Sequence, residues 1–69
     1  MTNEQKEIIF KECLYWRNSY SDAAKYGCDE LAIEYKGIIR GICLTMERLH
    51  IYAEFVDWVA KENSNKKGE

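Results

Sequence analysis

A single helical pattern of unusual length occupies the second half of this chain. It begins at Asp29 and continues to about Asn63, and the whole sequence contains no proline. Mostly apolar and aromatic residues recur within it at alternating spacings of four and three, the heptad pattern of helices that pack along one seam. At ~1.5 Å per residue the predicted helix is roughly 50 Å long. The seam consists of Leu31, Tyr35, Ile38, Ile42, Thr45, Leu49, Tyr52, Val56 and Val59.

Such a helix is too long for a monomer of this size. A compact chain of 69 residues is expected to have a radius of gyration of only about 11 Å. The helix would protrude from its own domain with an uncovered seam, so the sequence predicts a homodimer or small homo-oligomer, built as a four-helix bundle or around a coiled coil. The expected oligomer interface consists of Tyr35, Ile38, Gly41, Ile42, Thr45 and Leu49.

The first helix is predicted from about residue 3 to residue 25. Thr2 and Gln5 have the spacing of a capping box at its start. Its apolar stripe is broader than one seam, which indicates contacts on two sides. The seam residues are Ile9, Cys13, Trp16, Tyr20 and Ala23, and the residues that widen the stripe are Ile8, Phe10, Leu14 and Tyr15.

The connection between the two helices is short. Gly27 is a typical left-handed stop for the first helix, and Asp29 is expected to cap the second. A turn confined to residues 26–28 forces the helices to lie antiparallel. The fold class is therefore all-α, a helical hairpin with a long second helix, unless residues 19–26 form a separate short helix.

The small size of the chain limits its core. At 8.2 kDa it makes one helical domain, residues 1–63, followed by a flexible polar tail at 64–69. A core of this size contributes only about 3–5 kcal/mol of net stability unless a disulfide, a metal or oligomerisation adds to it. Three cysteines and a polar, acidic start with no export signal predict reduced thiols in the cytoplasm. Oligomerisation is therefore the expected source of additional stability.

The charge pattern argues against two classes of partner. The net charge is −2 and the pI about 5.4, with acidic and basic residues interleaved along both helices. Nucleic-acid binders normally present a basic face, so DNA and RNA are not expected as partners. No apolar run reaches the roughly 18 residues of a membrane span. The sequence therefore predicts a soluble protein.

Two glycines are unusual inside the long helix. Gly37 and Gly41 each cost about 1 kcal/mol relative to alanine. With Thr45 they form a small-residue groove that allows close approach of another group. Three occupants fit this pattern: Trp16 or Tyr20 of the first helix, a second long helix crossing in a dimer, or a ligand against the bare backbone.

A second candidate surface lies near the end of the long helix, beyond the expected reach of the first. It is termed the terminal patch. Aromatic residues of this kind concentrate at protein interfaces. The patch is predicted to contact either a second copy of the chain or a different protein that the chain regulates or inhibits. Its residues are Tyr52, Phe55, Val56, Trp58 and Val59.

Basic residues next to aromatic ones suggest an alternative function. In an antiparallel hairpin they come close together and could hold an anionic, nucleotide-like ligand, with sites at subunit boundaries. Pairing of these cations with Glu12, Glu34 or Glu47 on a solvated surface is the competing interpretation. The candidate ligand residues are Arg17, Tyr20, Lys36 and Arg40.

Catalytic and metal sites are not predicted. The sequence lacks a phosphate-binding glycine loop and a nucleophile elbow. A zinc site would require His50 and all three cysteines to converge, and the Glu47–His50 spacing matches one isolated part of a di-iron motif. Both patterns are expected to be coincidental, so no enzyme activity, metal or cofactor is assigned.

The turn sequence Ala-Ala-Lys-Tyr-Gly at residues 23–27 resembles the turn of small hairpin phosphatases that act on sporulation response regulators. Their Ser-Gln-Glu-Leu-Asp signature is absent from the second helix, so no activity or residue role is carried over. Short, acidic, cysteine-bearing chains are common among accessory proteins of phages and mobile elements. The sequence thus predicts a non-enzymatic helical module that binds itself and regulates or inhibits another protein.

Overall fold

The structure, a computed structural model, describes residues 1–67. Over this range the chain forms three α-helices: α1 at Asn3–Lys25, α2 at Asp29–Arg48 and α3 at Tyr52–Lys67. The predicted all-α class is confirmed. Helices α1 and α2 pack along each other as an antiparallel hairpin, and α3 folds back along the N-terminal half of α1.

Local signals account for both ends of α1. The Thr2 hydroxyl accepts a hydrogen bond from the Gln5 amide at 3.1 Å, and the Gln5 side chain accepts one from the Thr2 amide at 2.9 Å, which completes the capping box. At the other end Gly27 has a φ of 75°. The Cys28 amide donates to the Ala23 carbonyl at 2.8 Å, as in a Schellman motif. Since α1 is continuous to Lys25, no separate short helix forms at 19–26.

The start of α2 differs from its prediction. Cys28 occupies the N-cap position and makes no side-chain capping hydrogen bond, while Asp29 is the first helical residue. A carboxylate in the first turn still interacts favourably with the helix dipole. Asp29 therefore supports the start of α2 through its charge and not as the cap.

The predicted long helix is wrong, because it is divided into α2 and α3. A second Schellman motif ends α2: the Ile51 amide donates to the Met46 carbonyl at 2.9 Å, and the His50 amide donates to the Glu47 carbonyl at 3.1 Å. His50 takes the left-handed position, with a φ of 59°. The helix breaks here and not at Gly37 or Gly41, which both lie inside α2.

Burial explains the break. A left-handed conformation costs a residue other than glycine about 1–2 kcal/mol. Turning the chain at His50 buries Ile51 and Phe55, and each fully buried apolar side chain contributes roughly 1.5–3 kcal/mol. The gain from two such side chains exceeds the cost of one strained residue, so the bent chain is favoured over the straight helix.

The core is small and lies where the three helices meet. The Phe10 ring centroid is 5.6 Å from that of Phe55 and 5.8 Å from that of Trp58. Lys6 and Glu54 form an ion pair of 2.9 Å between α1 and α3. The buried cluster consists of Phe10, Cys13, Met46, Ile51 and Phe55.

The last helix ends later than the predicted helix end at about residue 63. Helix α3 continues to Lys67, so residues 64–67 of the expected flexible tail are helical. Residues 68 and 69 of that tail lie outside the described part of the chain.

The molecule is flat and open for its mass. Its radius of gyration is 13.1 Å, and its principal extents are 37 × 34 × 16 Å. The 16 Å dimension corresponds to no more than two layers of helices, which pack about 8–10 Å apart. The hairpin is one layer, and α3 covers part of one of its two faces. The opposite face of the hairpin is left without a covering helix.

Candidate interaction surfaces

The uncovered side of the α1–α2 hairpin is termed the open face. Two shallow grooves follow the line between the helices on this side. One is lined by Ile8, Ile9, Glu12, Ile42 and Thr45. The other is lined by Ser19, Asp22, Ala23, Tyr26, Cys28, Leu31 and Tyr35. Helical spacing places Tyr15, Ile38 and Leu49 on the same side.

The open face is unusually apolar. Monomeric proteins rarely expose large contiguous apolar patches, and such patches mark interaction sites. Here both helices of the hairpin contribute large side chains that are more than a third exposed. On the open face they are Ile8, Tyr15, Tyr26, Leu31, Ile38 and Leu49, whereas Ile33 and Leu44 are exposed on another side of α2.

Aromatic rings form the centre of the open face. Trp16 lies 5.1 Å from Tyr15 in an edge-to-face arrangement and 5.5 Å from Tyr35 across the helix boundary, measured between ring centroids. The Trp16 indole N–H donates to the Glu12 carboxylate at 3.0 Å. This hydrogen bond satisfies the polar edge of the indole and leaves a rigid aromatic surface that a partner can pack against.

The residues of the predicted oligomer interface divide between two environments. Tyr35 and Ile42 are half-buried against α1, whereas Ile38, Gly41 and Leu49 are exposed, as is Thr45. The α1 residues of the open face were missing from that prediction. The signal for them was the width of the apolar stripe on α1, where Ile8 and Tyr15 stand beside the main seam.

The two glycines in α2 are not covered by the first helix. A Cβ atom at Gly37 or Gly41 would have nothing within 4 Å among the described residues. Trp16 packs on Tyr35 instead. The Thr45 hydroxyl donates to the Gly41 carbonyl at 2.9 Å. Of the three predicted occupants of this groove, the packing of Trp16 or Tyr20 is therefore wrong.

The terminal patch is partly buried. Phe55 is only 1% exposed, and Trp58 and Val59 are half-buried against the core cluster. The expectation that Phe55 and Trp58 lie beyond the first helix is wrong, because the break at His50 brings α3 back onto Phe10. Tyr52 at 39% and Val56 at 51% exposure remain available to a partner.

Three of the four predicted ligand residues line one cleft on the side of the hairpin away from the open face. Arg17, Tyr20 and Lys36 meet there, together with Ser21, Ala24 and Ile39, around about 500 Å³. This site is termed the cationic cleft. Arg40 does not line it. The cleft lies between α1 and α2 of one chain, so it differs from the predicted site at a subunit boundary.

The cations of the cleft are not neutralised within the described residues. The ion pairs found among the described residues join Lys6 to Glu54 and Lys11 to Glu7. Neither Arg17 nor Lys36 takes part in an ion pair. The predicted pairing of these cations with Glu12, Glu34 or Glu47 therefore does not occur in this part of the chain. Instead, the Arg17 guanidinium carbon lies 5.9 Å from the centroid of the Phe55 ring.

The cysteines are free thiols in different environments. Cys13 is fully buried, and burial raises the pKa of its thiol to about 11, with the neighbouring Cys43 adding to the rise. Cys13 is therefore an uncharged core side chain at neutral pH. Cys28 is exposed at the turn. Within residues 1–67, no three histidine, cysteine or acidic side chains converge as a metal site would require.

No helix in the described part of the chain is both long and apolar enough to cross a membrane. The chain matches no protein-family model, no curated protein and no solved structure at a significant level. The open face, the terminal patch and the cationic cleft are therefore the features of the molecule that bear on its function.

Proposed function

We propose that this protein is a non-enzymatic helical module that binds a second copy of itself through the open face and regulates or inhibits another protein through the exposed part of the terminal patch. In the proposed dimer the two hairpins stack face to face as a four-helix bundle. Each α3 remains on the outside. A twofold axis brings the same surface of both copies together, so each contact between two different residues occurs twice.

The exposed area of the chain is the observation that carries the proposal. The chain exposes 5473 Å² to solvent, whereas a compact monomer of 8.2 kDa is expected to expose about 4500 Å². The excess of roughly 900 Å² is close to the ~800 Å² per partner buried in a protein–protein interface of standard size. The exposed apolar side chains of the open face account for part of this excess, and a second copy of the same face would cover them.

The chemistry of the open face fits a second copy. Its centre is aromatic and aliphatic, as in the buried part of homodimer interfaces. The open space beside Gly41 allows the backbone of a facing helix to approach closely. Two carboxylates, those of Glu12 and Asp22, line the grooves of the open face. The Glu12 carboxylate accepts a hydrogen bond from the Trp16 indole, which partly offsets its charge in the proposed dimer.

The molar mass in solution tests the self-association, measured by light scattering over a wide dilution range. The wild-type chain is expected to be a dimer that dissociates on dilution. Ile38→Glu places a charge in the proposed interface and is expected to weaken the dimer by roughly tenfold or more, equivalent to about 1.4 kcal/mol.

Leu44→Glu is the matched control. Leu44 is 46% exposed and Ile38 is 38% exposed, and both are in α2, but Leu44 lies about 120° around the helix from Ile38. This variant should keep the wild-type dimer. A wild-type monomer at all concentrations, or equal weakening by both variants, would contradict the assignment of the open face.

A further inference from the structure

We propose that the cationic cleft binds the phosphate group of a small molecule, a phosphate monoester of about mononucleotide size. The cleft and the open face lie on opposite sides of the hairpin. A ligand can therefore occupy the cleft in a monomer and in the proposed dimer alike, and the inference does not depend on self-association.

The charges in the cleft match a phosphate dianion. Arg17 on α1 and Lys36 on α2 lie on opposite walls, and neither has a carboxylate partner among the described residues. A phosphate monoester carries about −1.5 to −2 charges at pH 7. Arginine offers a planar fork of donors to phosphate oxygens, and lysine adds a compact positive charge.

The remaining lining supports a small organic phosphate. The hydroxyls of Tyr20 and Ser21 can donate further hydrogen bonds to phosphate oxygens, while Ala24 and Ile39 give an apolar surface for the rest of the ligand. The cleft has a volume of about 500 Å³ and is open to solvent, so a bound ligand would remain partly exposed.

The position of Arg17 is held by the fold. Its guanidinium lies over the ring of Phe55 at 5.9 Å, and Phe55 belongs to the buried core. Cation–π contact restrains the arginine side chain before the ligand arrives, which lowers the entropy lost on binding. Docking of α3 thus restrains a residue that lines the cleft.

A long nucleic acid fits this site poorly. The chain has a net charge of −2, and the cleft is an isolated pair of cations and not the continuous basic stripe that follows a phosphate backbone. A single phosphate group on a small molecule needs no such stripe.

The test is an NMR titration of the full chain at low ionic strength with three probes: adenosine monophosphate, inorganic phosphate and adenosine. The monophosphate is expected to shift the amide signals around Arg17 and Lys36 in a saturable way, and adenosine is expected to leave them unchanged. The monophosphate is expected to bind more tightly than inorganic phosphate, and equal binding of the two would overturn the assignment of a monoester with an organic part against Ala24 and Ile39. Absence of binding by both phosphates, or equal binding of adenosine and the monophosphate, would overturn the proposal.

Matched charge-removing variants locate the site. Lys36→Gln is expected to weaken monophosphate binding by roughly tenfold or more, the loss of one hydrogen bond to a charged group. Arg40→Gln removes the same charge one helical turn away but outside the cleft, and it should have little effect. Equal weakening by the two variants would show binding to general positive charge and would overturn the proposed cleft.

A further variant tests whether weaker binding comes from the loss of a phosphate contact or from loosening of α3. Arg17→Gln should weaken binding like Lys36→Gln, although it also removes the contact with Phe55. Because Lys36 is exposed and lies outside the core cluster, its variant keeps the test valid if Arg17→Gln loosens α3. The Ile38→Glu variant should bind the monophosphate as tightly as the wild type, which distinguishes failure of the cleft from failure of the dimer.

Discussion

At the scale of single residues, His50 determines the direction of the chain after α2. It is a histidine in a backbone conformation that favours glycine, with a φ of 59°. The equivalent position after α1 is Gly27, with a φ of 75°. The two helix ends thus use the same hydrogen-bonding motif, but one of them carries strain and the other does not.

Replacing His50 by glycine is expected to stabilise the folded chain by about 1 kcal/mol, because glycine adopts a positive φ without the steric cost. For a domain of this size that corresponds to a rise of roughly 4–8 °C in the melting temperature. Thermal unfolding followed by circular dichroism measures it. His50→Ala removes the imidazole but keeps the strained backbone, and it should give no such rise. If alanine stabilises as much as glycine, the backbone explanation is incorrect.

Among the residues of the candidate sites, the sequence predicted the convergence of Arg17, Tyr20 and Lys36. It could do so because antiparallel pairing across a short turn determines which residues of the two helices face each other. It did not exclude Arg40, which is one turn from Lys36 but points outside the cleft. That distinction depends on the rotation of α2 against α1, which side-chain packing determines.

At the scale of helices, α3 is held to the hairpin by few contacts. Phe55 packs against Phe10, Trp58 lies beside the same ring, and Lys6 pairs with Glu54. An exposed ion pair contributes only about 0–1 kcal/mol. The aromatic contacts therefore supply most of the free energy that keeps α3 in place.

Phe55→Ala is expected to destabilise the chain by about 3–5 kcal/mol, the usual cost of removing a buried phenylalanine. This equals the whole net stability of many domains of this size, so extensive unfolding at room temperature is the expected outcome. Urea unfolding followed by circular dichroism measures it. Tyr52→Ala removes another aromatic ring of α3 that is 39% exposed, and it should cost far less. Similar unfolding midpoints for the two variants would contradict the described packing of α3.

At the scale of the whole molecule, the protein is flat, with a small core and two sides that are accessible to other molecules. One side carries α3 and the cationic cleft, and the other is the open face. In the proposed dimer the open faces cover each other, while Tyr52 and Val56 remain on the outer side of each α3. Regulation of another protein would then involve two copies of this exposed pair.

The double variant Tyr52→Ser with Val56→Ser is expected to keep the wild-type dimer mass, because neither side chain lies on the open face. It is also expected to lose a partner protein that the wild type retains during purification from its native cells. Mass spectrometry of the retained proteins provides the comparison, with Leu44→Glu as the control. Equal retention by the double variant and the wild type would exclude these two residues as the partner contact.

Interactions between residues close in sequence determined the all-α class and the two ends of α1. Thr2 and Gln5 form a capping box wherever a helix begins at that point, and Gly27 accepts a left-handed conformation at little cost. The heptad seam also identified residues of α2 that carry apolar surface. These features follow from local sterics and hydrogen bonding, so the sequence was sufficient for them.

The break after α2 was decided by the tertiary structure. The sequence between Leu49 and Tyr52 contains no proline or glycine, and the heptad spacing continues through it without a change of phase. The chain bends there because Ile51 and Phe55 can be buried against Phe10, which is distant in sequence. That contact determines which seam residues are covered by the chain's own helices and which remain free for a partner.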